Sequence, residues 1–550
     1  MVPAGFNKGD WELLKKALWI SALSSALVLV MSTSGVAGVT TPVRASALAS
    51  PYAGCASQDA AQIAVSGGRN FPNAEVEPTV SVFGDHVIGQ WHEDRWSNGG
   101  AHGIGLGTSS DGGATWSNGT MPWDFCAPGT PPSLQKYLRN SDPWVSYGPD
   151  GTLYSSALAF NLGYGIPPAA NNANAVVVAT SANHGTSWYG VQEIPGSAFT
   201  TFSQSTDKNS TTADPIHAGV AYTVWDTLIE PTDNPDDNPH TAAYTGPAYF
   251  SKTTDGGVTW SQAKIIVDTK NRSQTIGNII VVDPRNDTLY NFFDLIQKPN
   301  TPVQGTRSNA QVAFNKSTDG GDTWTQPQII APFNSLGVQD PNTGERLRVG
   351  DGLEEVAIDP ANGNLYVVWE RSSNYQKQLK QSSGAWDDQI VLARSTDGGQ
   401  TWIGPTVIHT ANGLPTFTPE VAVNGGVVAV TYYDTRNLTA GQTQNLPTDY
   451  FVEYSNNNGA SFQGETRITT TSFDSRTAPV ARGFFLGDYE GLVPMGSNSF
   501  GALFVKTNCN STDSAGQVFP AGGPCAPASS TSAATSNTNP TDAFFSKATP

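Results

Sequence analysis

The chain has 550 residues and a formal charge of −18 at neutral pH, with 14% of its residues charged. Proteins that bind nucleic acid gather Lys and Arg against the phosphate backbone, so this acidic balance argues against such a partner. Its 56 glycines, 37 prolines and 10% aromatic residues suit short strands joined by many turns, an all-β chain rather than a helical one.

At the amino terminus Lys8, Lys15 and Lys16 precede the apolar run "ALWISALSSALVLVM", Ala17 to Met31. This is the make-up of a signal peptide core and is short for a membrane span. Small-residue cleavage sites follow at "VAG", ending at Gly38, and at "ASA", ending at Ala47. Residues 1–47 are therefore read as leader, 48–74 as an amino-terminal segment and 75–550 as the body of an exported protein, free of the membrane once cleaved and expected to be monomeric. Four cysteines in such a chain predict two disulfides, Cys55–Cys126 and Cys509–Cys525.

An octapeptide then recurs: "SSDGGATW" ends at Trp116, "TTDGGVTW" at Trp260, "STDGGDTW" at Trp324 and "STDGGQTW" at Trp402. Degenerate copies, "SANHGTSW" from Ser181 and "SNNNGASF" from Ser455, fill the gaps. The third positions, Asp111, Asn183, Asp255, Asp319, Asp397 and Asn457, are 72, 72, 64, 78 and 60 residues apart. A period near 70 is too long for a solenoid coil and fits four antiparallel strands per unit. In the octapeptide the Asp or Asn caps backbone N–H groups, Gly supplies positive φ and the aromatic residue packs between sheets, so the motif is read as scaffold.

Six motifs plus an unboxed strand set, "GDYEGLVPM", "SFGALFVKT" and "DAFFSKA", make seven propeller blades, with six as the alternative. The stretch Gln62 to Ser66 is expected to pair with Asp542 to Lys547 and close the ring. With strands named A to D along the chain, the octapeptides sit in the C–D turns on one face. The opposite face then carries the long B–C loops and the starts of the A strands. Those starts read Glu77, Asp142, Asp214, Asn278, Glu355, Glu420 and Asp488 to Glu490, a convergence of acids suited to splitting their pKa values, to capping backbone, or to holding Ca²⁺. The ends of the B strands add Asp94, Arg95, Arg371 and Arg436, candidates for gripping a carboxylate.

These octapeptides resemble the Asp boxes of the sialidase (neuraminidase) superfamily of β-propellers. The resemblance implies a Tyr nucleophile, an activating Glu, an acid/base Asp and an arginine trio. Tyr489 in "DYEGL" stands in the tyrosine's place, Glu355 with Arg371 matches the glutamate and its following arginine, and Glu420 with Arg436 repeats that arrangement. The sequence departs from the family where its first arginine aligns with Val76 and where the acid's loop reads "SNGGAHG", leaving Asp94 and Arg95 as stand-ins. The expected function is a secreted exo-glycosidase acting on extracellular glycans; the alternatives are a glycan- or protein-binding propeller and a polysaccharide lyase with Tyr489 as base.

Overall fold

The computed structural model describes residues 38–161, 172–230, 245–270, 273–297, 310–350, 353–375, 387–507 and 541–550. Among these, one pattern repeats: an inner strand, two further antiparallel strands, an octapeptide turn and an outer strand. In the first unit the strands are Val76–Phe83, His86–Trp96, Ala101–Ser109 and Ser117–Thr120. The inner strands of the next six units are Arg139–Tyr147, Gln204–Ala213, Ser273–Asp283, Glu355–Ile358, Thr416–Asn424 and Gly491–Met495. Each packs against the inner strand before and after it, and the last packs against the first. The chain is an all-β propeller. No helix among the described residues is long and apolar enough to cross a membrane.

The octapeptide holds its turn by local bonds. In the copy around Asp319, the Ser317 hydroxyl accepts from the Gly321 N–H at 2.9 Å and donates to Asp319 Oδ1 at 2.7 Å. Asp319 also accepts from the Thr323 N–H at 2.8 Å and the Thr323 hydroxyl at 2.6 Å, bonds that hold its carboxyl well below the usual range. Asn457 replaces this with a mirrored bond, its Nδ2 donating to the Ser461 hydroxyl at 2.8 Å. The tryptophan joins neighbouring units: Trp324 packs on Phe250, Trp402 on Phe314 and Trp116 on Phe545, with ring centroids 5.5, 5.6 and 5.5 Å apart. A lysine adds a polar staple, Lys252 Nζ donating to Gly320 O of the next unit at 2.8 Å and Lys316 Nζ to Gly398 O at 3.2 Å.

The ring closes differently from the sequence expectation. Gln62 to Ser66 lies in a helix, Asp59–Ser66, and does not pair with Asp542 to Lys547. Two short strands further upstream, Gly38–Val39 and Val43–Arg44, take the edge of Thr541–Thr549, with Val43 opposite Phe545 and Arg44 opposite Phe544. On this helix Gln62 is buried and accepts from Arg139 Nε at 2.8 Å. Cys55 and Cys126 form a disulfide, Cα atoms 6.0 Å apart, that ties this amino-terminal segment to the first unit. The Cys509–Cys525 expectation lies outside the described residues.

Candidate functional site

Five inner strands share one irregularity near their start. Register shifts between Val76 and Thr79, Ser141 and Trp144, Asp207 and Ser210, Ile276 and Ile279, and Phe417 and Glu420 each mark a bulge. Within each bulge one residue has positive φ: Glu77 (55°), Asp142 (51°), Lys208 (39°), Gly277 (77°) and Thr418 (49°). Four of these are not glycine, and such strain persists only where surrounding structure enforces it, which is commonest at functional sites. In three of them proline follows, in "EP", "DP" and "TP", since a bulge tolerates a residue without an N–H.

Two of these bulges, together with the segment before Gly491–Met495, bring three acids to the ammonium of a third. Lys208 Nζ stands 3.3 Å from Glu77, 3.0 Å from Asp488 and 4.0 Å from Asp142. Arg348 forks onto Asp488 through Nε at 3.1 Å and Nη2 at 2.7 Å. His92 Nε2 accepts from the Asp142 N–H at 2.7 Å and lies 3.1 Å from Glu77; burial and the nearby Arg95 and Lys208 hold this imidazole neutral.

Charge is divided unevenly among these acids. Burial raises Glu77 to about 8, against the pull of Lys208, so it carries a proton at neutral pH. Burial works against ionised Asp488 too, but Arg348 and Lys208 outweigh it and hold the group well below the usual carboxylate range. The two side chains share the Lys208 ammonium between them. One protonated acid and one carboxylate thus meet the same ammonium.

Other acids of the ring serve the backbone. Glu420 accepts from the Glu490 N–H at 2.9 Å, Glu490 from the Val505 N–H at 3.0 Å, and Asp226 from the Gly277 N–H at 2.9 Å. Burial raises Glu355 to about 8 and pushes Glu420 up as well, with Glu355 beside it adding to the effect. Tyr489 is buried, its ring 4.9 Å from Lys208 Nζ, and its hydroxyl donates to the Pro143 carbonyl at 3.4 Å. Among the described residues no glutamate accepts from that hydroxyl, and burial followed by Glu77 and Asp142 raises its pKa well above the ordinary phenol value.

No family model matches the chain. A sialidase of Bacteroides fragilis (strain YCH46) is 28% identical over 131 residues, a match spanning 23% of this chain and 23% of that protein. The chain is similar to sialidases. Among solved structures, the Hadza microbial sialidase Hz136 aligns over 76% of this chain and 74% of its own at 12% identity and a TM-score of 0.41. An α-L-arabinanase of Penicillium chrysogenum, solved with arabinobiose, aligns over 92% and 98% at 10% identity and a TM-score of 0.41. A GH93 α-L-arabinofuranosidase of Fusarium graminearum, also with arabinobiose, aligns over 66% and 90% at 12% and 0.40.

The remaining residues singled out in this sialidase-like sequence fall in several places. Asp214 is not on the acid ring. It follows the strand Gln204–Ala213 at the opposite end, where it accepts from the N–H groups of Ile216 (2.9 Å) and His217 (2.8 Å) in a turn. The "DP" of that turn imitates the "DP" of Asp142, and the ring position belongs to Lys208, which the two bulges place level with Asp142 by matching "DKNS" to "SDPW". Asp94 is engaged by Ser50 at 2.8 Å, His102 at 2.9 Å and the Asn73 N–H at 2.6 Å. His102 in turn meets Asp59 at 2.7 Å; burial opposes its charge, but the two carboxylates raise it to about 9. Arg95 is buried beside the ring, donating to Gly100 O and stacking 5.0 Å from Phe485, whose other neighbour is Arg348 at 4.3 Å. Arg436 lies apart, bridging Asp434 and Glu465 in a cluster with His409. Arg371 is half-buried on Leu365–Ser372 and pairs with no carboxylate among the described residues.

Calcium does not fit the ring. Glu77, His92 and Asp142 offer ligand atoms within 4.8 Å of one another, but the Lys208 ammonium stands among the acids and His92 Nε2 is taken by a backbone N–H. A hard cation wants six to eight oxygens. In the second such group, His409, Asp434 and Glu465, the carboxylates are already bridged by Arg436.

Proposed function

We propose that this protein is an exported glycoside hydrolase acting at the end of a glycan chain, with Glu77 as proton donor and Asp488 as the ionised carboxylate. The reading rests on one observation: two buried acids, Glu77 and Asp488, meet the Lys208 ammonium at 3.3 and 3.0 Å while Arg348 forks onto Asp488, an arrangement that favours a proton on Glu77 and charge on Asp488. Glycosidic cleavage asks for a protonated carboxyl to donate to the leaving oxygen and a carboxylate to act as nucleophile or base. Likeness to a sialidase over part of the chain and the Asp-box propeller support the same reaction class. The side chains of Lys208 and Arg348 keep 11% and 16% exposure while the acids beneath are nearly sealed, so an incoming sugar meets cations first. A carboxylate on that sugar would take the place of Asp488 on the Arg348 fork and leave Asp488 free to react.

A panel of neutral and anionic chromogenic glycosides tests this. Hydrolysis should favour the anionic members, and Glu77→Gln should lower kcat by about 100-fold or more. Because Glu77 donates a proton, turnover should fall as pH rises through about 8, and the glutamine variant should lose that limb. Tyr489→Phe decides between this pair and the tyrosine mechanism of true sialidases: it should retain most activity here. Binding without cleavage by any glycoside, or release of an unsaturated uronate in place of a reducing end, would replace the proposal with a binding or lyase function.

A further inference from the structure

The sequence offers two places where an export leader could be removed, after Gly38 and after Ala47, and the structure distinguishes them. Residues between the two sites form part of the folded ring. The Thr40 N–H donates to Lys547 O at 2.9 Å, its hydroxyl accepts from the Lys547 N–H at 2.9 Å, and its carbonyl accepts from the Ser546 hydroxyl at 2.7 Å. Further along, the Ala45 N–H donates to Ala543 O at 2.8 Å, Ala45 O accepts from Asn118 Nδ2 at 2.6 Å, and Ser46 Oγ donates to Asp542 Oδ1 at 3.1 Å. Arg44 lies 3.7 Å from the same carboxylate, which is fully buried and would otherwise lose a countercharge.

Apolar packing agrees with the hydrogen bonds. Ala45 is fully buried in a cluster with Val80, Trp91, Leu503 and Phe545, which joins the first unit to the last. A chain beginning at Leu48 would lose this strand, leave the edge of Thr541–Thr549 open and expose that cluster. One beginning at Val39 would keep every contact named above.

We infer that the exported chain is processed at the Gly38–Val39 bond and that Val39 to Ser46 stays with the mature protein as the outer strand of its last unit. A leader peptidase supplies the chemistry: water adds across the peptide bond, leaving a carboxylate on Gly38 and an ammonium on Val39. Gly38 at the cut and Val36 two residues before it give the small-residue pattern that such an enzyme reads.

Expression of the full chain in an export-competent host, followed by amino-terminal sequencing and intact mass of the secreted product, reads the answer directly. A start at Val39 is expected. A start at Leu48, or secreted protein that retains Met1, overturns the inference. As a second measurement, forms beginning at Val39 and at Leu48 are compared in thermal melts: the shorter form should melt several degrees lower or fail to fold. Equal melting temperatures would show that the strand is dispensable and would also overturn the assignment. Neither readout depends on catalytic activity, so the result is independent of the proposed glycosidase.

Discussion

Glu93 shows how buried acids tie stability to pH. It is buried, accepts from Trp91 Nε1 at 3.0 Å, and burial followed by the charge of Asp94 raises it to about 8. A group whose folded pKa lies above its unfolded value binds more protons when folded, so stability falls as pH rises between the two, here from about 4.5 to about 8. Glu77 and Glu355, raised to the same level, act in the same direction. Melting temperature should therefore decline across that window, and Glu93→Gln should make the decline shallower; an unchanged slope would mean that Glu93 is already ionised in the fold. The Asp boxes work the other way. Asp397 is held at about 2 by the Thr401 hydroxyl and N–H, so its contribution is present above about 4 and is lost as pH falls toward 2. Residue identity was legible at Glu77 and Asp142 because acids stand before prolines at strand starts, and illegible at Lys208, where a lysine occupies an acid's position with no proline to mark it.

Among the elements, the octapeptide was the clearest part of the sequence, because its chemistry is local. Its two glycines are not equivalent. A Cβ on Gly321 would lie 2.4 Å from the Phe250 ring, whereas one on Gly320 meets nothing closer than the tip of Lys252 at 3.8 Å, although both have positive φ. Gly320→Ala should cost about 1 to 2 kcal/mol for the left-handed backbone alone, and Gly321→Ala clearly more because a ring must also move. Chemical denaturation of the two variants gives the order; equal losses would remove the packing argument. Elements whose identity depends on distant partners were read less well. Gln62 to Ser66 alternates like a strand yet becomes a helix docked on Arg139, and Asp214 looks like a strand start yet ends one. In both cases the deciding contact is one that local pattern does not encode.

At the scale of the whole molecule, loops from different units are fastened over the axial acids. Arg476 donates to Asp340 at 2.6 Å and to Thr343 at 2.6 Å, and Leu347 and Arg348 pair in parallel with Phe484 and Phe485. Arg476→Ala should therefore loosen Arg348 from Asp488 and reduce turnover of any substrate found, with a smaller effect on melting temperature; the reverse ranking would mark the clamp as purely structural. The Cys55–Cys126 bridge spans a sequence separation of 71 and should contribute about 2 to 4 kcal/mol, so Cys55→Ala should lower the melting temperature by several degrees. Period and blade type could be read from the sequence, whereas the closing strand could not, since it lies inside what reads as leader. That strand also sets an order of events. Residues 40 and 547, bonded to each other in the finished sheet, leave the ribosome some 500 positions apart. No intermediate length of nascent chain can complete the circle, so until the final strand is made both of its future neighbours wait as open edges. On the proposed export route this order matters: the strand Thr541–Thr549 permits closure, so a chain that starts across a membrane before this strand is made does so with its ring still open.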